Sequence, residues 1–245
     1  MNLLIDLGNS RLKWAQHAPG LWRTDAALLD KGDFTFLLDS VWGKIAAPEK
    51  VVVCSVSTPA RLNALEKWVQ ARWSVTPHIV RPQAEQLGVK NLYQNTQQLG
   101  ADRWAALIGA RGLTASATCV VDAGTAVTVE ALSARGEFLG GAVFPGLRLL
   151  RDSLAQGTAG ISAAEGDATD CLARSTADGV AAGTLFGLAG AVERLIDEYR
   201  RTLGEGMQVL LTGGDAPALA TRLRAAHTPV PDLVLQGLAR IADTL

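Results

Sequence analysis

Twice along this chain a run of apolar residues ends in an Asp-x-Gly turn and resumes as a second apolar-alternating stretch. Leu3-Leu4-Ile5-Asp6-Leu7-Gly8-Asn9-Ser10 continues into Leu12-Lys13-Trp14, and Cys119-Val120-Val121-Asp122-Ala123-Gly124-Thr125-Ala126 continues into Val127-Thr128-Val129. Each reads as a strand, a tight bend and a returning strand. After the first copy the pattern predicts a helix near Phe34 to Ile45, a buried strand Val51 to Val56, a helix opened by Ser57-Thr58-Pro59 and a short strand His78 to Arg81. After the second it predicts a strand Gly136 to Phe144, a helix begun at Pro145-Gly146, a long helix Ala177 to Arg201, a strand Gln208 to Leu211 and a closing helix from Pro231. A repeat of this kind constrains a fold more than local propensity does. The expected architecture is α/β with two duplicated lobes, 1–115 and 116–245, each a mixed β-sheet with packed helices, the boundary falling near Gly112 to Thr118.

Two stretches, Pro82 to Leu99 and Gln156 to Asp170, are too long and too weakly patterned for ordinary connections, and read as substrate and lid loops or as mobile segments. With 245 residues, 48 % hydrophobic, the chain is long enough for two modest cores. Lys+Arg 23 against Asp+Glu 24 leaves no field that favours nucleic acid or an anionic membrane, so a small-molecule partner is expected. Cys54, Cys119 and Cys171 lack metal-ligand spacing and read as buried thiols of a reducing, cytoplasmic protein. The start has no basic region before its apolar stretch, and no uninterrupted apolar run approaches the roughly 20 residues that span a bilayer. His17, His78 and His227 stand apart from the motifs, and Trp14, Trp22, Trp42, Trp68 and Trp73 read as core residues.

The chemistry sits in the turns. A glycine at a hairpin bend lets backbone approach a ligand, and the exposed amides of Asp6-Leu7-Gly8-Asn9-Ser10 can face phosphate oxygens, with Ser10 and Lys13 adding a hydroxyl and a cation. Asp6, at the end of a buried strand, suits magnesium held through water. The same residues also read as a hairpin whose Asp and Asn satisfy turn amides. The second copy, around Asp122 to Ala126, favours a nucleotide gripped by two hairpins, and Leu210-Leu211-Thr212-Gly213-Gly214-Asp215 offers bare backbone for a flat adenine. In this order, the three elements resemble the phosphate and adenosine motifs of the superfamily of acetate kinase, sugar kinases, heat-shock chaperones and actin, which implies ribonuclease H-like (actin-like ATPase) lobes.

Leu99-Gly100-Ala101-Asp102-Arg103-Trp104, between an upstream Asp-x-Gly-Asn and a downstream Asp-x-Gly-Thr-Ala, is similar to the motif of type III pantothenate kinases. The resemblance extends over essentially the whole chain, through Gly140-Gly141, Phe144-Pro145-Gly146 and Ser175-Thr176-Ala177-Asp178-Gly179. It implies transfer of the γ-phosphoryl group of ATP to pantothenate, the first step of coenzyme A biosynthesis. It implies Asp102 as general base, and Gly100, Ala101, Asp102, Arg103, Thr176 and Tyr93 as pantothenate contacts. It implies Asp6, Leu7, Gly8, Asn9, Ser10, Arg11, Leu12, Lys13 and Thr125 as ATP contacts, and Asp122 as holder of a monovalent cation, K+ or NH4+. It further implies a homodimer in which Thr176 reaches the acceptor of the neighbouring subunit. The family's substrate loop often carries prolines around its tyrosine, and Asn91 to Thr96 has none. Asp102 also reads as the cap of the helix that follows it, and Thr176 as the cap of its own. Competing functions are a kinase of the same superfamily with a sugar or acid acceptor, and an ATP-binding regulator without an acceptor.

Overall fold

The structure, a computed structural model, describes residues 1–29, 32–161 and 166–245. Its contacts divide the chain into two units, Met1–Thr114 with Asp232–Leu245, and Ala115–Pro231.

In unit 1 the strands β1 (Asn2–Leu7), β2 (Arg11–Ala18), β3 (Leu21–Leu28), β4 (Lys50–Ser55) and β5 (His78–Ile79) form a sheet of order β3-β2-β1-β4-β5. The first three are antiparallel neighbours, and β4 and β5 run parallel to β1. Alternation along β1 sends Leu3, Ile5 and Leu7 into a core shared with Leu12, Trp14, Val51 and Val53 and closed by α1 (Phe34–Trp42) and α2 (Pro59–Trp73). Indoles fill much of that core: Trp14 meets Trp42 edge-on at 5.5 Å, and Trp68 donates its Nε1 hydrogen to Asp39 Oδ1 at 2.9 Å. The opposite face, with Leu4, Asp6, Val52 and Cys54, takes α3 (Ala101–Leu113) and the terminal helix α7 (Leu233–Ala242). Those two helices touch backbone to backbone, since a Cβ on Gly237 would lie 1.8 Å from the Ala105 carbonyl oxygen and one on Gly109 2.5 Å from that of Leu233. A short hairpin, β6 (Glu85–Gln86) with β7 (Val89–Asn91), and a 3-10 turn at Thr96–Gln98 precede α3.

Unit 2 repeats the plan. Its strands β8 (Thr118–Ala123), β9 (Ala126–Leu132), β10 (Glu137–Pro145), β11 (Gln208–Thr212) and β12 (Thr228–Pro229) lie in the order β10-β9-β8-β11-β12, the same as β3-β2-β1-β4-β5. Cys119, Val121, Val127, Val129, Val209 and Leu211 pack on Leu188, Val192 and Ile196 of α5 (Thr176–Leu203). Two shorter helices, α4 (Leu147–Gly157) and α6 (Ala216–Ala220), flank it.

Several expectations are corrected. The closing helix, assigned by order to the second lobe, packs on α3, β1 and β4 of unit 1, because its glycine and its apolar face fit that surface. Strand β3 is unannounced in the sequence because nearly all its residues are exposed, Trp22 (41 %) included, so it carries no apolar alternation. Cys54 and Cys119 are buried, whereas Cys171 is exposed. Helix α5 is by length and composition apolar enough to cross a membrane, yet its sequence is broken by Asp178, Glu193 and Arg194, so the reading of uninterrupted apolar runs stands, and 44 % of its most apolar stretch is buried within the protein. Pro82 to Leu99 is an organised segment: Asn91, itself buried, accepts from the Tyr93 amide and donates to the Thr96 carbonyl, and Gln97 Nε2 donates to the Pro82 carbonyl. Of the stretch 156–170, residues 162–165 lie outside the described residues.

Candidate active site

The first Asp-x-Gly turn closes with the Gly8 amide donating to the Arg11 carbonyl at 3.0 Å, leaving Asn9 exposed at its tip. Asp6 stands on the α3 side of the sheet, with Lys13 opposite it on β2 and Cys54 opposite it on β4. Lys13 Nζ approaches Asp6 Oδ2 at 3.7 Å, and the Cys54 thiol donates to Asp6 Oδ1 at 3.6 Å. Burial pushes the Asp6 carboxyl from an ordinary 3.8 up to about 6, against the pull of Lys13 and with a further push from the charge of Asp102. Burial likewise holds the Cys54 thiol well above its usual range, with Asp6 and Asp102 adding to it.

Asp102 reaches this cluster from the first turn of α3. The cap position is Gly100, which offers no side-chain cap, so the capping role foreseen for Asp102 does not hold. Its carboxylate accepts instead from the Arg103 amide at 2.7 Å and folds back over Gly100, whose added Cβ would lie 2.5 Å from Asp102 Oδ1. The glycine of the Gly-x-Asp-Arg motif is therefore room for the carboxylate. Burial raises the Asp102 pKa, and the Arg103 amide and guanidinium draw it back. Arg103 Nη2 donates to the Tyr93 hydroxyl at 3.1 Å, with the guanidinium 5.7 Å from the ring centre. Five of the foreseen residues thus fall into two contact groups within unit 1, Asp6 with Lys13 and Asp102 with Arg103 and Tyr93, and the charge of Asp102 is felt at Asp6. Trp104 is fully buried and donates to Gln86 Oε1, a packing role.

In unit 2 the second turn closes with the Gly124 amide donating to the Ala126 carbonyl at 3.0 Å, and the Gly146 amide at the head of α4 donates to the Thr125 carbonyl at 2.9 Å. The segment after β11 packs directly on it. Gly213 has φ +100, and a Cβ there would lie 2.3 Å from the Ala123 carbonyl oxygen and 2.5 Å from Asp122 Oδ1, while the Asp215 amide donates to Ala123 at 2.8 Å. Only glycine fits. Thr176 belongs to a different element, the first helical position of α5. Ser175 is the cap there, accepting from the Asp178 amide, so Thr176 is an exposed residue without a capping role.

Two residues escaped sequence reasoning. Cys54 touches Asp6, a contact foreseeable by laying the buried runs Leu3–Asp6 and Val51–Cys54 side by side as parallel strands. Arg61, on the first turn of α2, donates to the Asn9 carbonyl at 3.2 Å and had no local signal.

Two lobes of one topology, each with an Asp-x-Gly turn at the end of its central strand, define the actin-like class of phosphotransferases and ATPases, built on duplicated ribonuclease H-like lobes. The solved activator of the 2-hydroxyisocaproyl-CoA dehydratase from Clostridium difficile, with bound ADPNP, is alike in fold: TM-score 0.55, 13 % identity, 99 % of this chain and 96 % of that chain covered. The family profile for type III pantothenate kinase matches residues 2–198. The type III pantothenate kinase of Alkalilimnicola ehrlichii is 42 % identical over 98 % of this chain and 97 % of its own length. That of Halorhodospira halophila is 41 % identical over 97 % and 96 %. The chain belongs to the type III pantothenate kinase family.

Proposed function

We propose that this chain transfers the γ-phosphoryl group of ATP to the primary hydroxyl of pantothenate, giving 4'-phosphopantothenate, the first step of coenzyme A biosynthesis. The observation that carries the reading is the seat of Asp102, a carboxylate folded over a glycine at the head of α3, within the field of Asp6 and beside the Tyr93–Arg103 pair. Phosphoryl transfer chiefly needs an aligned nucleophile and neutralised phosphate charge. Asp102 accepts the hydroxyl hydrogen as the oxygen attacks phosphorus, and ADP leaves with the electron pair of the broken bond. Arg103 and Tyr93, with Gly100 and Ala101, orient the acceptor. The turn Asp6 to Lys13 and Thr125 hold the phosphates of ATP.

The donors fit the two cations. Asp6 is desolvated by burial, as its raised pKa reflects, and would hold magnesium through the ion's water shell. Asp122, partly exposed beside the backbone of Gly213 and opposite Thr128 in register, would supply a carboxylate oxygen to K+ or NH4+. Bound magnesium supplies neutralisation of the β- and γ-phosphate charge. A homodimer is supported by the exposed face of α5, where Gly179, Gly183, Gly187 and Gly190 recur beside a groove of about 560 Å³ that also holds Leu150 and Leu154 of α4 and Thr176. A cytoplasmic location, without membrane or nucleic-acid partners, accords with the near-zero net charge and the buried free thiols.

The test is an assay of the purified protein with ATP, Mg2+ and K+, pantothenate set against a panel of sugars and short acids. Saturable ADP release with pantothenate alone is expected, and a preference for a sugar overturns the assignment. Mixing decides the assembly: Asp102→Asn and Thr176→Arg chains, each inactive alone, regain about a quarter of the sites when co-refolded if the site is shared across a two-fold axis, and none if it is not.

A further inference from the structure

Residues 168 and 169, ahead of α5, are held by a side chain from the far end of unit 2. Arg222, just beyond α6, donates from Nη2 to the carbonyls of Ala168 (2.9 Å) and Thr169 (3.1 Å), and its guanidinium lies 4.8 Å from the ring centre of Phe186 on α5. The strap it grips is tied in turn to the first turn of α5. The Asp167 amide donates to Asp178 Oδ1 at 2.8 Å, and Asp178 Oδ2 accepts from the Ser175 hydroxyl at 2.7 Å. Gly166 presses on the helix itself, since a Cβ there would lie 2.2 Å from the Ala177 carbonyl oxygen. Asp178 is held below the usual carboxylate range by the Ser175 hydroxyl and then the Asp167 amide, so the joint is made by a charged acceptor. Thr176 lies between Ser175 and Ala177, inside this joint.

We propose that Arg222 is a positioning residue for the acceptor substrate: it clamps the strap 166–169 against the head of α5 and thereby fixes Thr176. Loops are the least constrained part of a fold, and a residue presented from a helix end is only as well placed as the turn that carries it. A planar guanidinium that bridges two consecutive carbonyls while stacked on a ring is a geometry lysine does not reproduce. Because Arg222 follows the Thr212 to Asp215 segment, whose Asp215 amide is bonded to the Asp122 hairpin, the clamp anchors the strap to the same framework that carries that hairpin.

The proposal rests on the reading of Thr176 as an acceptor contact, so its test uses two readouts. In the full-length protein, Arg222→Ala should raise KM for pantothenate about tenfold, the scale of losing hydrogen bonds from a charged donor, while KM for ATP moves less than about twofold. Arg222→Lys should fall between, and millimolar guanidinium chloride should lower the KM of Arg222→Ala toward the wild-type value. Hydrogen exchange at the amides of Asp167 and Asp178 should quicken in Arg222→Ala with that of β8 and β11 unchanged. Equal rises in both KM values, or unchanged exchange in the strap, overturns the proposal. If the wild type does not phosphorylate pantothenate, the functional reading falls and the acceptor role with it, while the exchange data alone still decide whether Arg222 clamps the strap.

Discussion

The two Asp-x-Gly turns occupy the same place in their sheets and differ in what surrounds the carboxylate. Four residues, Gly8 to Arg11, join Leu7 to Leu12 in the first, and three, Gly124 to Ala126, join Ala123 to Val127 in the second. Asp6 is therefore paired across β2 with Lys13, and Asp122 across β9 with Thr128. On the other side β4 brings Cys54 to Asp6, and β11 brings Thr212 to Asp122. One carboxylate is buried between an ammonium and a thiol; the other is partly exposed between two threonines. The duplicated backbone fixes where a carboxylate stands, and its cross-strand neighbours set the charge and burial around it.

Four changes break or sharpen that contrast. The largest effect is expected from Asp102→Asn, which preserves size and removes the proton acceptor that shares the field of Asp6: kcat should fall about 10²- to 10⁴-fold with the fold kept and, at neutral pH, a thermal transition no lower than the wild type's, because burial disfavours the Asp102 carboxylate too. Near-normal turnover would detach the first turn from the chemistry altogether. Next is Asp6→Asn. A carboxyl raised from 3.8 to about 6 corresponds to about 3 kcal/mol of unfavourable ionisation in the folded state. Because the folded pKa is the higher, that cost is absent below pH about 3.8, develops as pH rises through about 6, and is complete at neutral pH. The variant should therefore lose activity yet gain up to about 3 kcal/mol of stability at pH 7.5, and gain nothing near pH 3.5, as denaturant melts at the two pH values would register.

The third change is in pH alone. Wild-type kcat/KM for ATP should fall about tenfold per pH unit below about 6, where Asp6 takes up its proton, and Lys13→Met should move that limb upward by removing the charge that pulls the pKa down. An acid limb that stays in place in Lys13→Met would separate Asp6 from the activity. The smallest effect is expected from Asp122→Asn. It should leave the acid limb where it is and raise the K+ or NH4+ concentration for half-maximal rate several-fold, on the order of one lost charged contact. Matching magnesium and potassium titrations for the Asp6 and Asp122 variants would erase the contrast.

The hairpins, the long helix and the central strands were legible because each is announced locally, by Asp-x-Gly at a bend or by apolar residues at a fixed period. Asp102 was singled out by the resemblance of its motif, and its seat over Gly100 is local, since the two residues stand two apart in one turn. What escaped depends on partners distant in sequence. Cys54 meets Asp6 through strand register, and Arg61 meets Asn9 through the placement of α2. Strand β3 escaped because it is an edge exposed on both faces, and its pairing is carried by backbone bonds that have no signature in side chains. The destination of α7 escaped because an apolar helix face does not name the surface that it fits.

That destination bears on how the protein is made. Residues 1–114 are synthesised before Leu233–Ala242, so until that helix is made the face of their sheet that carries Asp6 and Cys54 has α3 upon it without α7. Residues 115–231 can close while the first lobe waits, so the nascent chain completes its middle before its beginning. A premature stop ahead of Leu233 would remove α7 from β1, β4 and α3 while leaving every element of unit 2 in the product, so the damage would fall on the lobe that was synthesised earliest.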